Sequence, residues 1–100
     1  MERTTISKEY IQKMYQAISN LETEEECAEF FEDLCTPTEL SAMAQRYAVA
    51  SLLAEDKVYL EIMKQTNASS ATISRVKRMM TTGTGRLPKM IQKMKEKNQK

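Results

Sequence analysis

One segment in the second half of the chain combines short polar side chains with a cluster of cations. Residues 69–78 read Ser-Ser-Ala-Thr-Ile-Ser-Arg-Val-Lys-Arg. If the segment is helical, its first turns present short side chains that allow close approach to base edges in a DNA major groove. The cations that follow can neutralise phosphates, which supply much of the affinity for DNA. The segment predicts a DNA contact by Ser69, Ser70, Ala71, Thr72, Ser74, Arg75, Lys77 and Arg78.

The residues around this segment favour a helix-turn-helix over about residues 58–80. Such a motif needs two short helices that cross steeply around a tight turn, in which one residue usually has a left-handed backbone. Asn67 lies at that turn, and asparagine tolerates positive φ better than any residue except glycine. Apolar residues stand where the crossing must be packed: Ile62, Ala68, Ile73 and Val76.

Helix-start signals predict three helices in the first half of the chain. After Ser7, apolar residues recur at spacings of three and four, which is one face of a helix. Thr23 begins a capping box in which the Glu26 carboxylate accepts a hydrogen bond from the backbone N–H of Thr23. Thr36 then precedes Pro37, a residue favoured at the first position of a helix.

The second half of the chain predicts three further helices. They cover residues 58–65, residues from Ser69 or Ser70 to about Met80, and residues 88–97. Strand signals are absent. We therefore expect an all-α protein of six helices, folded as a single domain over residues 1–100. A domain of this size buries about two-thirds of its unfolded surface and gains stability from a partner.

The composition argues against catalysis and against a metal or cofactor. The chain has no histidine, the most usual general base and metal ligand. Cys27 and Cys35 are eight residues apart without further ligands nearby, and their apolar neighbours predict reduced thiols in the core. Gly83 and Gly85 lie in a loop that lacks the lysine of a phosphate-binding loop. An enzyme is not expected.

The charges are distributed unevenly. Residues 1–74 carry six Lys or Arg against thirteen Asp or Glu, a net −7, whereas residues 75–100 carry nine cations against one glutamate, a net +8. This asymmetry favours an acidic partner, nucleic acid first. No apolar run approaches the roughly 18 residues of a membrane span, and the amino terminus lacks the apolar stretch of a signal peptide. We expect a cytoplasmic protein.

Three groups of residues resemble the tryptophan repressor family, and most closely its YerC/YecD-type branch. They are Leu34-Cys35-Thr36-Pro37, then Glu39 and Arg46, and finally Ala71-Thr72-Ile73-Ser74-Arg75. The resemblance covers about residues 7–94 and implies a six-helix, intertwined homodimer with a helix-turn-helix in each subunit. It also implies a sequence-specific DNA-binding regulator, most often a repressor. Wide apolar helix faces independently favour the dimer.

The resemblance also implies a site for a small effector. Thr36, Arg46 and Arg75 match family residues that surround the bound tryptophan. The chain departs from the family where Val76 replaces a glycine and Met79 replaces a serine, so the valine side chain would project where the indole needs open backbone. Two arginines at one site would equally suit another small anion.

A second hypothesis is that the chain is a helical protein-interaction module that has kept the fold without binding DNA. Two features motivate it: the acidic stretch over residues 22–33, and the apolar Leu60 and Met63 at positions that are polar or charged in the family. This hypothesis predicts binding to a protein that is insensitive to salt, with no preference among DNA duplexes.

Overall fold

The computed structural model describes residues 6–98, and all regular secondary structure in that range is helical. The helices are α1 (Lys8–Ile18), α2 (Glu24–Leu34), α3 (Pro37–Ala54), α4 (Tyr59–Thr66), α5 (Ser70–Thr82) and α6 (Arg86–Asn98). The predicted all-α fold of six helices is therefore confirmed. No helix among the described residues is long and apolar enough to cross a membrane. These residues form two compact units, residues 6–37 and residues 38–98, so the single domain stays a prediction.

The first unit contains α1 and α2, and the capping box of α2 differs from its prediction in one bond. The Thr23 hydroxyl accepts from the Glu26 backbone N–H at 3.0 Å, as expected of an N-cap residue. The Glu26 carboxylate, however, accepts from the N–H of Glu22 at 2.8 Å and not from that of Thr23. The side chain thus satisfies a donor one residue before the cap, because the chain turns back towards it there.

The apolar faces of α1 and α2 remain accessible within the chain. Neither helix has a buried residue, and Tyr10, Tyr15 and Leu34 are all more than half exposed. The prediction of core thiols is wrong for Cys27, which is exposed, while Cys35 is half-buried; both are free cysteines. The apolar pattern around Cys27 indicates a helix face, but Cys27 lies on a part of α2 that stays exposed, whereas Phe30 and Phe31 are half-buried.

The second unit has a small core made only of apolar side chains. Its buried members come from all four helices and from the turn after α4: Val49, Ala50, Ile62, Ala68, Ile73, Val76 and Ile91. No buried side-chain nitrogen or oxygen in the described residues lacks a hydrogen-bond partner. The core therefore joins α4 and α5 to α3 and α6 at little cost in polar desolvation.

Two helix ends of the second unit differ from prediction. Helix α5 extends to Thr82, where the hydroxyls of Thr81 and Thr82 donate to the Arg78 carbonyl at 3.1 and 2.8 Å. Helix α6 begins at Arg86, directly after Gly85, whose φ is 91°. Pro88 thus lies inside the first turn of α6, where its missing N–H removes no helical hydrogen bond.

Candidate nucleic-acid interface

The turn between α4 and α5 is built on Asn67. Its backbone is left-handed, with φ 66° and ψ 13°, and its N–H donates to the Met63 carbonyl at 2.9 Å. This bond satisfies one of the carbonyls that a helix leaves unpaired at its carboxyl end. The prediction that Asn67 has a left-handed backbone at this turn is therefore confirmed.

Thr66 and Gln45 hold the same turn, and sequence reasoning missed both. The Thr66 hydroxyl donates to the Ile62 carbonyl at 2.7 Å and accepts from the Ala68 N–H at 3.2 Å. The Gln45 side chain on α3 donates to the Thr66 carbonyl at 3.1 Å. The turn is thus tied to α4 and to α3. A threonine just before the turn residue is a local signal, whereas Gln45 lies 21 residues away.

Replacing Asn67 tests the left-handed turn. We expect Asn67→Ala to lower the free energy of unfolding by about 1–2 kcal/mol, because a residue with a Cβ atom and no polar side chain disfavours this backbone. Asn67→Gly should leave stability within a few tenths of that of the parent, since glycine adopts positive φ freely. Urea denaturation measures both, with the exposed helical residue Gln65→Ala as control. Equal stability of the two Asn67 variants would contradict the strained turn.

The residues predicted to pack the crossing of α4 and α5 are those that the structure buries. Ile62, Ile73 and Val76 have no exposed surface, and Ala68 is 4% exposed. Because α5 is amphipathic, burying Ile73 and Val76 turns Ser70, Ala71, Ser74, Arg75 and Arg78 to the exposed side. The amino-terminal half of α5 is therefore exposed to solvent, while its apolar face packs against α4.

The short polar residues of α5 differ in how their hydroxyls are used. Ser69 is the N-cap: its hydroxyl accepts from the Thr72 N–H and donates to the Thr72 hydroxyl, both at 3.1 Å. Ser69 and Thr72 therefore stabilise the first turn of α5, and they also belong to the predicted DNA contact. Ser74 lies one turn further on, and its hydroxyl is 3.3 Å from that of Tyr59 on α4. Sequence reasoning did not identify Tyr59.

The predicted phosphate contacts are exposed cations without carboxylate neighbours. Arg75, Lys77 and Arg78 are all exposed. Over residues 6–98, the ion pair observed joins Lys13 to Glu9 on α1 at 3.7 Å, and none involves α5. These three charges are thus available to an external anion without first breaking an internal pair.

The predicted effector residues line neither of two cavities in the second unit. Arg46 and Arg75 are exposed on α3 and α5, and Thr36 belongs to the first unit. Two cavities of about 520 and 500 Å³ in the second unit are lined by other residues. Val76, expected to project towards the ligand, is instead fully buried in the core. The effector site stays a prediction.

Within residues 6–98, no group of three or more cysteine, aspartate or glutamate side chains is placed to hold a metal ion. The second unit exposes hydroxyls and cations on α5. Such groups donate hydrogen bonds and neutralise anions, and they require no reacting centre.

Comparison with known proteins identifies the family. The family model described as Trp repressor protein matches residues 9–95. The uncharacterized protein YerC of Bacillus subtilis (strain 168) is 41% identical over 86 residues, which are 86% of this chain and 83% of that protein. The crystal structure of a TrpR-like protein from Eubacterium eligens has a TM-score of 0.83 at 37% identity, covering 87% of this chain and 90% of that one.

A second solved structure supports the same assignment. A candidate Trp repressor from Staphylococcus aureus also has a TM-score of 0.83, at 36% identity and 89% coverage of both chains. The family is one of regulatory proteins of this fold and is not an enzyme family. The resemblance to this family is therefore confirmed, and the chain belongs to the Trp repressor family.

Proposed function

We propose that this protein is a DNA-binding transcriptional regulator, a dimeric repressor that inserts α5 into the major groove. The observation that carries the proposal is the exposed face of α5. Its amino-terminal half combines short polar side chains with Arg75 and Arg78, and neither arginine has a carboxylate partner among the described residues. Membership of the Trp repressor family supports the same role. We expect a regulator of this kind to be located in the cytoplasm, where it would bind DNA.

The proposed dimer follows from the accessible apolar faces of the first unit. Tyr10 and Tyr15 are 60% and 62% exposed, and Leu34 is 54% exposed. Large apolar side chains at such exposure on two neighbouring helices are typical of a surface that a partner covers. A second copy would bury them, and a dimer with a helix-turn-helix in each subunit binds two half-sites about one DNA turn, roughly 34 Å, apart. The expected target is an inverted repeat.

The proposal assigns Thr36, Arg46 and Arg75 to a small anionic effector, and it requires no cofactor. The support is the match of these three residues to the family pattern. Because Met79, which is 41% exposed, replaces a serine of the family pattern, an effector other than tryptophan is favoured. Arg75 would then serve both the effector and the DNA, which gives the effector a direct route to α5.

A specific observation favours the second candidate, a protein-interaction module. Val58 and Leu60, at the start of α4, are 68% and 78% exposed. DNA-contacting surfaces are polar and strongly positive, so adjacent exposed aliphatic side chains fit a protein partner better. The acidic first turn of α2, with Glu24, Glu25 and Glu26, could contact a basic partner.

Capture of genomic fragments distinguishes the two candidates. The purified protein is mixed with fragmented genomic DNA at about 0.15 M salt with excess competitor, where non-specific phosphate binding weakens. A dimeric regulator should recover a few fragments that share an inverted repeat with half-sites one turn apart. Uniform or negligible recovery, both alone and with a cell metabolite extract added, would contradict the proposed function and favour a protein partner.

A further inference from the structure

We propose that Tyr59 is a specificity-determining residue, because it holds the Ser74 hydroxyl as a hydrogen-bond donor towards the DNA. The inference rests on the proposed function and adds to it the class of base-edge atom that Ser74 recognises. Tyr59 is the first residue of α4. The family resemblance assigns no role to this residue. The role proposed for Tyr59 depends on the packing of α4 against α5, which brings its hydroxyl close to that of Ser74.

The position of the Tyr59 hydroxyl is set by the rest of its side chain. The residue is half-buried, and it packs against the apolar core of the second unit. With the ring held there, the polar end reaches the surface, the arrangement usual for a tyrosine at the edge of a core. The hydroxyl oxygen lies 3.3 Å from Oγ of Ser74, across the crossing of the two helices.

The direction of this hydrogen bond follows from the acidity of the two groups. A phenolic O–H is more acidic than an aliphatic hydroxyl and is therefore the better donor. We therefore assign Tyr59 as the donor and Ser74 as the acceptor. The proton of Ser74 is then free to point outwards, and a hydroxyl that already accepts one hydrogen bond is a stronger donor in the next.

A hydroxyl held in this way discriminates among base edges. In the major groove it favours acceptors, which are N7 and O6 of guanine, N7 of adenine and O4 of thymine. It disfavours the amino groups of cytosine and adenine, which need an acceptor. An unrestrained serine serves either kind of edge by rotating its hydroxyl. The Ser74 hydroxyl is available to a base because it is not used as a helix cap, whereas the Ser69 hydroxyl caps α5.

The test compares Tyr59→Phe with Ser74→Ala on a panel of duplexes. The panel is the inverted repeat recovered by genomic capture, each half-site base pair changed in turn, and 7-deaza purines that remove N7 alone. We expect Ser74→Ala to lose discrimination at one base pair, and Tyr59→Phe to lose it at that same pair by about 2- to 10-fold, the value of one net hydrogen bond. The double variant should be no worse than Ser74→Ala.

Two controls separate positioning from stability. Tyr47→Phe removes a hydroxyl from an exposed tyrosine on α3 and should change neither discrimination nor Tm. Ser74→Thr keeps the hydroxyl and should restore discrimination relative to Ser74→Ala. Thermal unfolding of Tyr59→Phe should match the parent closely, since only one oxygen is removed.

The inference is overturned if Tyr59→Phe keeps the discrimination that Ser74→Ala loses. It is also overturned if Tyr59→Phe weakens binding equally on every duplex, because a phosphate contact or a structural role would do that. Selective binding by the parent protein in either case leaves the proposed function standing. If the parent protein selects no duplex at all, the proposed function and the inference fail together.

Discussion

Replacing Ile73 with alanine is expected to lower the free energy of unfolding by about 2–5 kcal/mol, the range for truncating a fully buried isoleucine. Ile73 has no exposed surface and belongs to the same apolar core as Ile62 of α4. In a chain of 100 residues, a destabilisation of this size lowers Tm on the order of 10–20 °C. Thermal and urea unfolding at fixed protein concentration measure it.

Leu60→Ala is the matched control for this substitution. It truncates an aliphatic residue of similar size in the same pair of helices, but Leu60 is 78% exposed. We expect its effect to stay within about 0.5 kcal/mol. Equal destabilisation by the two variants would show that something covers Leu60, or that the core does not carry the stability of the second unit.

Replacing both Arg75 and Arg78 with glutamine is expected to reduce DNA affinity on the order of 100-fold at about 0.15 M salt. The two arginines are three residues apart on α5, so they lie on one side of the helix, and both are exposed. The slope of log Kobs against log salt should fall by about 0.9 for each phosphate that is no longer neutralised, or about 1.8 per subunit. Binding titrations at several salt concentrations give the slope.

Lys8→Gln with Lys13→Gln removes the same charge from α1 and serves as the control. These lysines are exposed, and one is paired with Glu9. A change in net charge alone would affect both double variants equally, whereas a local contact by α5 affects only the first. Because phosphate contacts carry no sequence information, the reduction in affinity should be similar for specific and unrelated duplexes. Equal slopes for the two double variants would contradict the assignment of α5.

Much of the α4–α5 geometry could be predicted because the signals are local. Asn67 indicates the turn because few residues adopt positive φ, and the N-cap role of Ser69 depends on an N–H only three residues away. Ile62, Ile73 and Val76 were recognisable from helical spacing, since one face of each helix must be apolar to pack. None of these features requires knowledge of the remaining helices.

Other features could not be predicted, because they join residues that are distant in sequence. The bond from Gln45 to Thr66 spans 21 residues, and that from Tyr59 to Ser74 spans 15. The exposure of Cys27 likewise depends on which surfaces the chain covers. An apolar helix face indicates that other side chains pack against it. It does not indicate whether those side chains belong to the same chain or to a second copy.

Six helices, the left-handed turn and the identity of the residues exposed on α5 follow from local signals in the sequence, because helix caps, backbone conformation and the 3.6-residue period act over a few residues. The packing of helices against one another sets which hydroxyls are held and by which partners. It also sets which parts of the α1 and α2 surfaces stay exposed. Those outcomes depend on how separate helices pack, and packing is set by the shapes of many side chains at once.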